Sequence, residues 1–248
     1  ADLSKTASEM DSTSYEKEII LERCKLVLKV ISKLKTNSFK KSVISECSEL
    51  FHIPKFEEKL DVKYNLVGFE NGVFDLERGE FRDGLPEDYM SFTTGIEYEE
   101  YDEDDELYQG VTTFLEQVLP KKQVREYVVT LLSSFLSGKT GHEKFHIWTG
   151  SGGNGKSKLI ELFRLGFGDY CCTLPINIIT EKRARAEANT PALARTKGKR
   201  FACLQEPESN EQINVGLMKE HTGGDTIQAS AKYKVPIEFK PQFKMILT

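Results

Sequence analysis

The chain has 248 residues, 39% hydrophobic and 29% charged, with a formal net charge of −5. This balance supplies one large or two smaller apolar cores and excludes disordered, fibrous and disulfide-framework chains. No apolar run approaches the roughly 20 residues of a membrane-spanning helix. The start, Ala1-Asp2-Leu3-Ser4-Lys5, lacks the apolar centre of a signal peptide and an initiator Met, so it reads as a processed or excised start. Cys24, Cys47, Cys171, Cys172 and Cys203 show no C-x-x-C spacing. This odd, scattered set predicts reduced thiols in a cytosol-like compartment.

The average charge conceals two opposed stretches. Glu97 to Glu106 holds eight acidic residues and no basic one, which leaves the remainder at +3. From 181 to 200, Lys182, Arg183, Arg185, Arg195, Lys197, Lys199 and Arg200 stand against Glu181 and Glu187. That run reads either as a solvated face or as an electropositive surface.

In chain order, residues 1–12 are polar, and Thr13-Ser14-Tyr15-Glu16 has a capping-box pattern that opens a helix. Ile20, Cys24, Val27, Leu28, Ile31 and Leu34 keep helical spacing. Asn37-Ser38 interrupts it, and a second helix from Phe39 carries Val43, Ile44, Cys47, Leu50 and Phe51, with Pro54 past its end. Cys24 and Cys47 are expected to pack in a core, and His52 has no ligand partner near it in sequence. Leu66–Glu70 and Val73–Leu76 flank Asn71-Gly72, the pattern of a hairpin whose two turn residues take positive φ. Gly79 marks a second turn. The acidic run reads as an exposed segment and a domain boundary. Two helical patterns follow, one through Leu107, Val111, Phe114, Leu115 and Val118, the other through Val124, Tyr127, Val128, Leu131 and Phe135. The expected divisions are a helical domain with a hairpin insert over 1–96, a linker and helical collar over 97–140, and an α/β core over 141–248.

In that last part Phe145–Trp148 reads as a buried strand. Gly150-Ser151-Gly152-Gly153-Asn154-Gly155-Lys156-Ser157 follows, and then an apolar helical pattern. G-x-x-x-x-G-K-[ST] between strand and helix is the phosphate-binding loop of nucleoside triphosphate enzymes. Its glycines let backbone N–H groups converge on phosphate, and the helix start favours an anion. Lys156 is expected on the β/γ-phosphates and Ser157 on Mg²⁺, so the predicted ligands are ATP and Mg²⁺. Cys171–Leu174 reads as a further strand. Phe201–Leu204 reads as an apolar strand that delivers Glu206, with Glu208 a weaker second, to the sheet edge beside the loop. Lys156 and Glu206 are expected at neighbouring strand tips, Glu206 serving metal and attacking water. Beyond Thr222-Gly223-Gly224-Asp225, a hairpin tipped by Lys232, Tyr233 and Lys234 reads equally as a nucleic-acid contact or an ordinary cationic hairpin. Lys244–Thr248 reads as a buried strand.

The ordered set of Gly150–Ser157, Gly198-Lys199-Arg200-Phe201, Gln205-Glu206-Pro207-Glu208, Thr222-Gly223-Gly224-Asp225 and Pro241-Gln242-Phe243-Lys244 resembles the superfamily 3 helicase core of viral and phage primase–helicases. It is closest in pattern to the poxvirus-like group of large DNA viruses. Phe69–Leu76 and its flanks look like the domain preceding the helicase there. The resemblance implies an α/β, AAA+-like phosphate-loop ATPase core, incomplete at its C-terminus, that follows a mainly helical domain. It further implies a homo-hexameric ring moving on single-stranded DNA, with a primase domain upstream in several members, and no membrane partner. Carried over, Lys156 and Ser157 match the phosphate and Mg²⁺ ligands, Glu206 the acidic residue, and Gly223–Lys234 the channel hairpin. Gln205 stands where many members have a second acid, and Ser230 where the group often has Arg. The sensor Asn and arginine finger are expected beyond Thr248, so the isolated piece is expected to hydrolyse ATP poorly. The alternatives are a small-molecule kinase sharing the loop, and an N-terminal DNA- or partner-binding module attached to an inactive ATPase fragment.

Overall fold

A computed structural model describes residues 15–150, 152–181, 189–205 and 211–248. The expected capping box at Thr13-Ser14 lies outside them. Contacts divide the chain into two units, Ala1–Phe56 and Glu57–Thr248. This differs from the expected divisions near residues 96 and 140, because the antiparallel strands after residue 65 share a core with the α/β part.

The first unit is a helical hairpin of α1 (Tyr15–Leu34) and α2 (Asn37–Leu50). The interruption falls at Lys35-Thr36 rather than Asn37-Ser38. Thr36 takes an extended conformation, and its hydroxyl donates back to the Lys33 carbonyl at 2.7 Å, closing α1 instead of capping α2. No residue of α2 is buried; Cys24 and Cys47 are only half-buried, and Leu28 and Ile44 are well exposed. The expected core role of these cysteines is therefore not seen within this unit.

A single turn, α3 (Phe56–Lys59), follows. The second unit then opens with an antiparallel meander of β1 (Leu66–Phe69), β2 (Gly72–Asp75) and β3 (Glu80–Arg82). Its first turn is Glu70-Asn71, since Phe69 pairs with Gly72. Neither Asn71 nor Gly72 has positive φ, contrary to the hairpin expectation. Both residues serve packing instead. A Cβ on Gly72 would lie 2.6 Å from the Arg82 carbonyl oxygen. The Asn71 side chain donates to the Tyr98 carbonyl at 3.0 Å and accepts from its N–H at 2.8 Å. Tyr98 is thereby held against Phe69, Phe74 and Phe81, stacked on the last at 4.5 Å. The acidic run is exposed beyond this anchored tyrosine.

Helices α4 (Glu106–Val118) and α5 (Lys122–Ser133) come next, as the apolar spacing predicts; Asp105 caps α4 by accepting from Leu107 N–H at 2.6 Å. The parallel sheet is built from β4 (Phe145–Ile147), β5 (Cys171–Leu174), β6 (Phe201–Leu204) and β9 (Lys244–Leu247), in the order β4-β9-β6-β5. Between them come α6 (Lys156–Phe167), α7 (Asn177–Thr180), α8 (Pro191–Ala194), α9 (Val215–Thr222) and the antiparallel pair β7 (Ile227–Ala229) and β8 (Ile237–Phe239).

Alternation along β6 and β9 splits the core. Phe201, Cys203 and Ile246 meet Leu159, Ile160, Phe167, Leu132 and Phe135 from the helices, whereas Ala202, Leu204, Met245 and Leu247 meet Leu174, Ile179 and Phe243. Burial pushes the Cys171 thiol up to about 12 and the Cys172 thiol up to about 11, so both stay protonated at neutral pH.

Two buried polar groups fasten the meander to the sheet. The Tyr170 hydroxyl donates to the Phe92 carbonyl at 3.0 Å and accepts from Gly68 N–H at 2.9 Å. Arg200, 2% exposed, donates to the carbonyls of Leu136 and Leu66, and to that of Lys63 at 3.3 Å. Its guanidinium lies 4.4 Å from the Tyr170 ring centre. Burial lowers its pKa to about 10, so it remains charged at pH 7. Arg200→Lys, which keeps charge but loses the planar fork, is expected to cost about 3 kcal/mol in urea unfolding.

Asp88 closes the end of the meander. Its carboxylate takes two hydrogen bonds from the Arg82 guanidinium at 2.8 and 2.9 Å and one from Leu85 N–H at 2.9 Å. Pairing with Arg82 holds its pKa down to about 2. A depressed carboxyl stabilises the fold above the unfolded pKa, and that contribution is lost as pH falls through the folded one. Asp88→Asn should therefore cost about 2 kcal/mol at pH 7. The difference from the parent should fade as pH drops from about 4 to 2, as followed by urea melts across that range.

Candidate functional site

The ends of three strands set the site. Ile147 pairs with Leu247, and Leu247 with Leu204, so the C-terminal tips of β4, β9 and β6 lie in register at one edge. The glycine loop leaves β4 at this edge, and Gln205 leaves β6, exposed. β9 lies between them, so the loop-bearing strand and the acid-bearing strand are not neighbours. This corrects the expectation of adjacent tips: two strand spacings, roughly 10 Å, separate them. Glu206 and Glu208 lie outside the described residues, as do Ser151, Lys182, Arg183, Arg185 and Glu187.

The loop turns through Gly152, Gly153 and Asn154, with Gly153 at φ 75° and Gly155 at φ 81°, and α6 begins at Lys156. Gly155 occupies the cap position of α6 in left-handed conformation, and a Cβ there would meet Val118 of α4 at 2.9 Å. Gly150 is required by close approach, because the Asn154 carboxamide fills the place of its absent side chain. Asn154 also accepts from Lys156 N–H at 3.4 Å. The Lys156 ammonium lies 3.7 Å from the point where a Gly150 Cβ would stand, so it is folded back over the loop. Among the described residues no carboxylate forms an ion pair with it. Ser157 is exposed in the first turn of α6, and Leu159 and Ile160 anchor that helix in the core.

These features fit a triphosphate. The loop backbone is glycine-rich, a helix start faces it, and a half-buried lysine is held above it. Lys156, Ser157 and the backbone of Gly150, Gly152, Gly153, Asn154 and Gly155 are the groups that would hold nucleotide, with Ser157 the candidate Mg²⁺ ligand. No cluster of three His, Cys, Asp or Glu able to bind a metal exists among the described residues. Val118 was not singled out for the site from sequence; its only signal was its apolar spacing.

Lys232, Tyr233 and Lys234 occupy the loop between β7 and β8. Tyr233 is 93% exposed at φ 64°, with Lys232 Nζ 5.0 Å from its ring centre. The base of this hairpin is fixed while its tip projects. Ile227, Ala229 and Phe239 pack on Leu193 and Ala194, while the Ser230 carbonyl accepts from Thr190 N–H at 2.8 Å and the Ser230 N–H donates to the Thr190 hydroxyl at 3.0 Å. Ser230, where the resembling group often carries Arg, is thus a strut of the base.

Comparison with known proteins agrees with the family resemblance. Residues 7–121 match the family described as D5 N terminal like. A protein of Acanthamoeba polyphaga mimivirus named "Putative helicase" is 49% identical over 221 residues, covering 89% of this chain and 23% of its own length. One of African swine fever virus (isolate Tick/Malawi/Lil 20-1/1983) named "Putative primase" is 29% identical over 192 residues, covering 76% of this chain and 20% of its own. The chain is thus similar to proteins of large DNA viruses named as helicase and primase, and its residues 7–121 to the D5 N terminal like family. It spans only about a quarter or less of these relatives' lengths. Among solved structures, the apo NrS-1 C-terminal region aligns with 56% of this chain and 33% of its own, at 16% identity and a TM-score of 0.44.

Gly155→Ala places a side chain at positive φ and against Val118, and should cost about 1–3 kcal/mol. Adding Val118→Ala should relieve the contact but not the backbone strain. Thermal unfolding of both variants should show partial recovery in the double variant.

Proposed function

We propose that this chain is the central part of an ATP-driven replicative DNA helicase, with nucleotide held at the C-terminal edge of the parallel sheet. The observation that carries the reading is the glycine loop between β4 and α6 at the edge where β6 and β9 also end. Ligands of open parallel sheets collect at this edge. The similarity to proteins named as helicase and primase supports the nucleic-acid side of the reading.

Lys156 and Mg²⁺ on Ser157 would neutralise charge developing on the transferred phosphate. Glu206, following β6, is the candidate to orient the attacking water. The separation of roughly 10 Å between the two strands leaves room for a terminal phosphate across the tip of β9. The Lys232–Tyr233–Lys234 tip would engage the DNA strand, cations on phosphate and the ring on a base. A homo-hexameric ring and an upstream primase domain, as the family resemblance implies, and the reducing compartment expected from the scattered cysteines complete the proposal.

In the longer protein, Lys156→Ala should reduce DNA-stimulated ATP turnover at least ~100-fold. Glu206→Gln should abolish turnover while retaining nucleotide. Steady-state phosphate release with and without single-stranded DNA checks both, and unchanged turnover in Lys156→Ala would refute the site.

A further inference from the structure

Two clefts open at the opposite edge of the parallel sheet, where β4 and β9 begin. The larger has a volume of about 540 Å³, the smaller about 230 Å³, and both are bordered by Lys139 and Thr140. The larger is within the range of small-ligand and nucleotide pockets. Its walls include Gly223, Gly224, Phe239 and Lys240, the two feet of the β7–β8 hairpin. Its surface is therefore continuous with the hairpin that carries Lys232, Tyr233 and Lys234.

The lining has a repeated chemistry. In the larger cleft, Tyr64 is 49% exposed beside the exposed Lys139 and Lys240. In the smaller, the exposed Tyr127 stands with the exposed Lys144, while the half-buried Lys244 spends its ammonium on the Ser134 and Ser137 carbonyls. Of the carboxylates in the lining, Asp61 accepts from Ser91 N–H at 2.7 Å and from its hydroxyl at 2.5 Å; Glu58 and Glu238 border one cleft and Glu143 the other. Gln242, nine-tenths buried in the wall, donates its amide to the Asp61 carbonyl at 2.8 Å.

We propose that the two clefts form a second contact for single-stranded nucleic acid, in which bases stack on Tyr64 and Tyr127 while Lys139, Lys240 and Lys144 take phosphates. Exposed aromatic rings interleaved with lysines are what sequence-tolerant single-strand binding needs. The assignment rests on the reading of the chain as a nucleic-acid motor, and it adds a path at the foot of the hairpin to the contact at its tip.

The test is fluorescence anisotropy of the full chain with a labelled oligothymidylate at several salt concentrations. Lys139→Ala/Lys240→Ala should weaken binding about 10-fold or more and lower the slope of log K against log salt by about 1.4. Tyr64→Ala should weaken it by about 10-fold with the slope unchanged, and Tyr64→Trp should restore it. Thermal melts matching the parent confirm folding, since Tyr64, Lys139 and Lys240 are all exposed. If the cleft variants bind like the parent while Lys232→Ala/Tyr233→Ala loses binding, the clefts are not on the path and the motor reading stands. If the parent binds no oligonucleotide, both fall. If polyglutamate competes equally and Tyr64→Ala has no effect, the clefts take an acidic polypeptide and the proposal is overturned.

Discussion

The second unit depends on a buried cation that has no carboxylate partner among the described residues. Arg200 sits at the entrance of β6 and spends its guanidinium on the carbonyls of Lys63, Leu66 and Leu136, with the Tyr170 ring beneath it. The three carbonyls come from the segment before β1, from β1 itself and from the turn after α5. One planar group therefore ties the meander, the end of the α5 region and the sheet together. Such a donor must be Arg, because several hydrogen bonds in fixed directions are needed at once. The charge stays despite burial because its acceptors are oriented and its alternative is several orphaned carbonyls.

This clasp explains why the antiparallel strands cannot be separated from the α/β core. Tyr170 adds a second tie through Gly68 and Phe92. The acidic segment starts as a pinned one, since Asn71 and three phenylalanines hold Tyr98, and only then becomes a solvated run. Polar ties at chain ends and apolar contacts on the sheet faces thus divide the labour: the former set where elements sit, the latter supply most of the driving force.

Much of this was legible in the sequence where a local pattern had one physical meaning. The glycine loop, its preceding strand and following helix were readable because spacing and residue type agreed. The strands at 171–174, 201–204 and 244–247 were readable as short apolar runs. Strand order was not, because parallel pairing joins residues far apart in sequence; β9 enters between β4 and β6 with nothing local to announce it. Asn71-Gly72 misled for a related reason. Its composition suits a turn of positive φ, yet Gly72 is needed to admit Arg82 and Asn71 to bind Tyr98. Arg200 looked like part of a basic run, and only coordinates reveal it as the most buried charge. Glu206, the other half of the candidate site, lies beyond what the described residues address.

The central position of β9 carries one further consequence. The strand is hydrogen-bonded along both flanks, and it runs from the cleft wall at Phe243 and Lys244 to the loop edge at Leu247. Four residues of extended backbone are a strut of roughly 13 Å that neither stretches nor bends without breaking ladder bonds. The two rims of the sheet are for that reason held at a fixed separation.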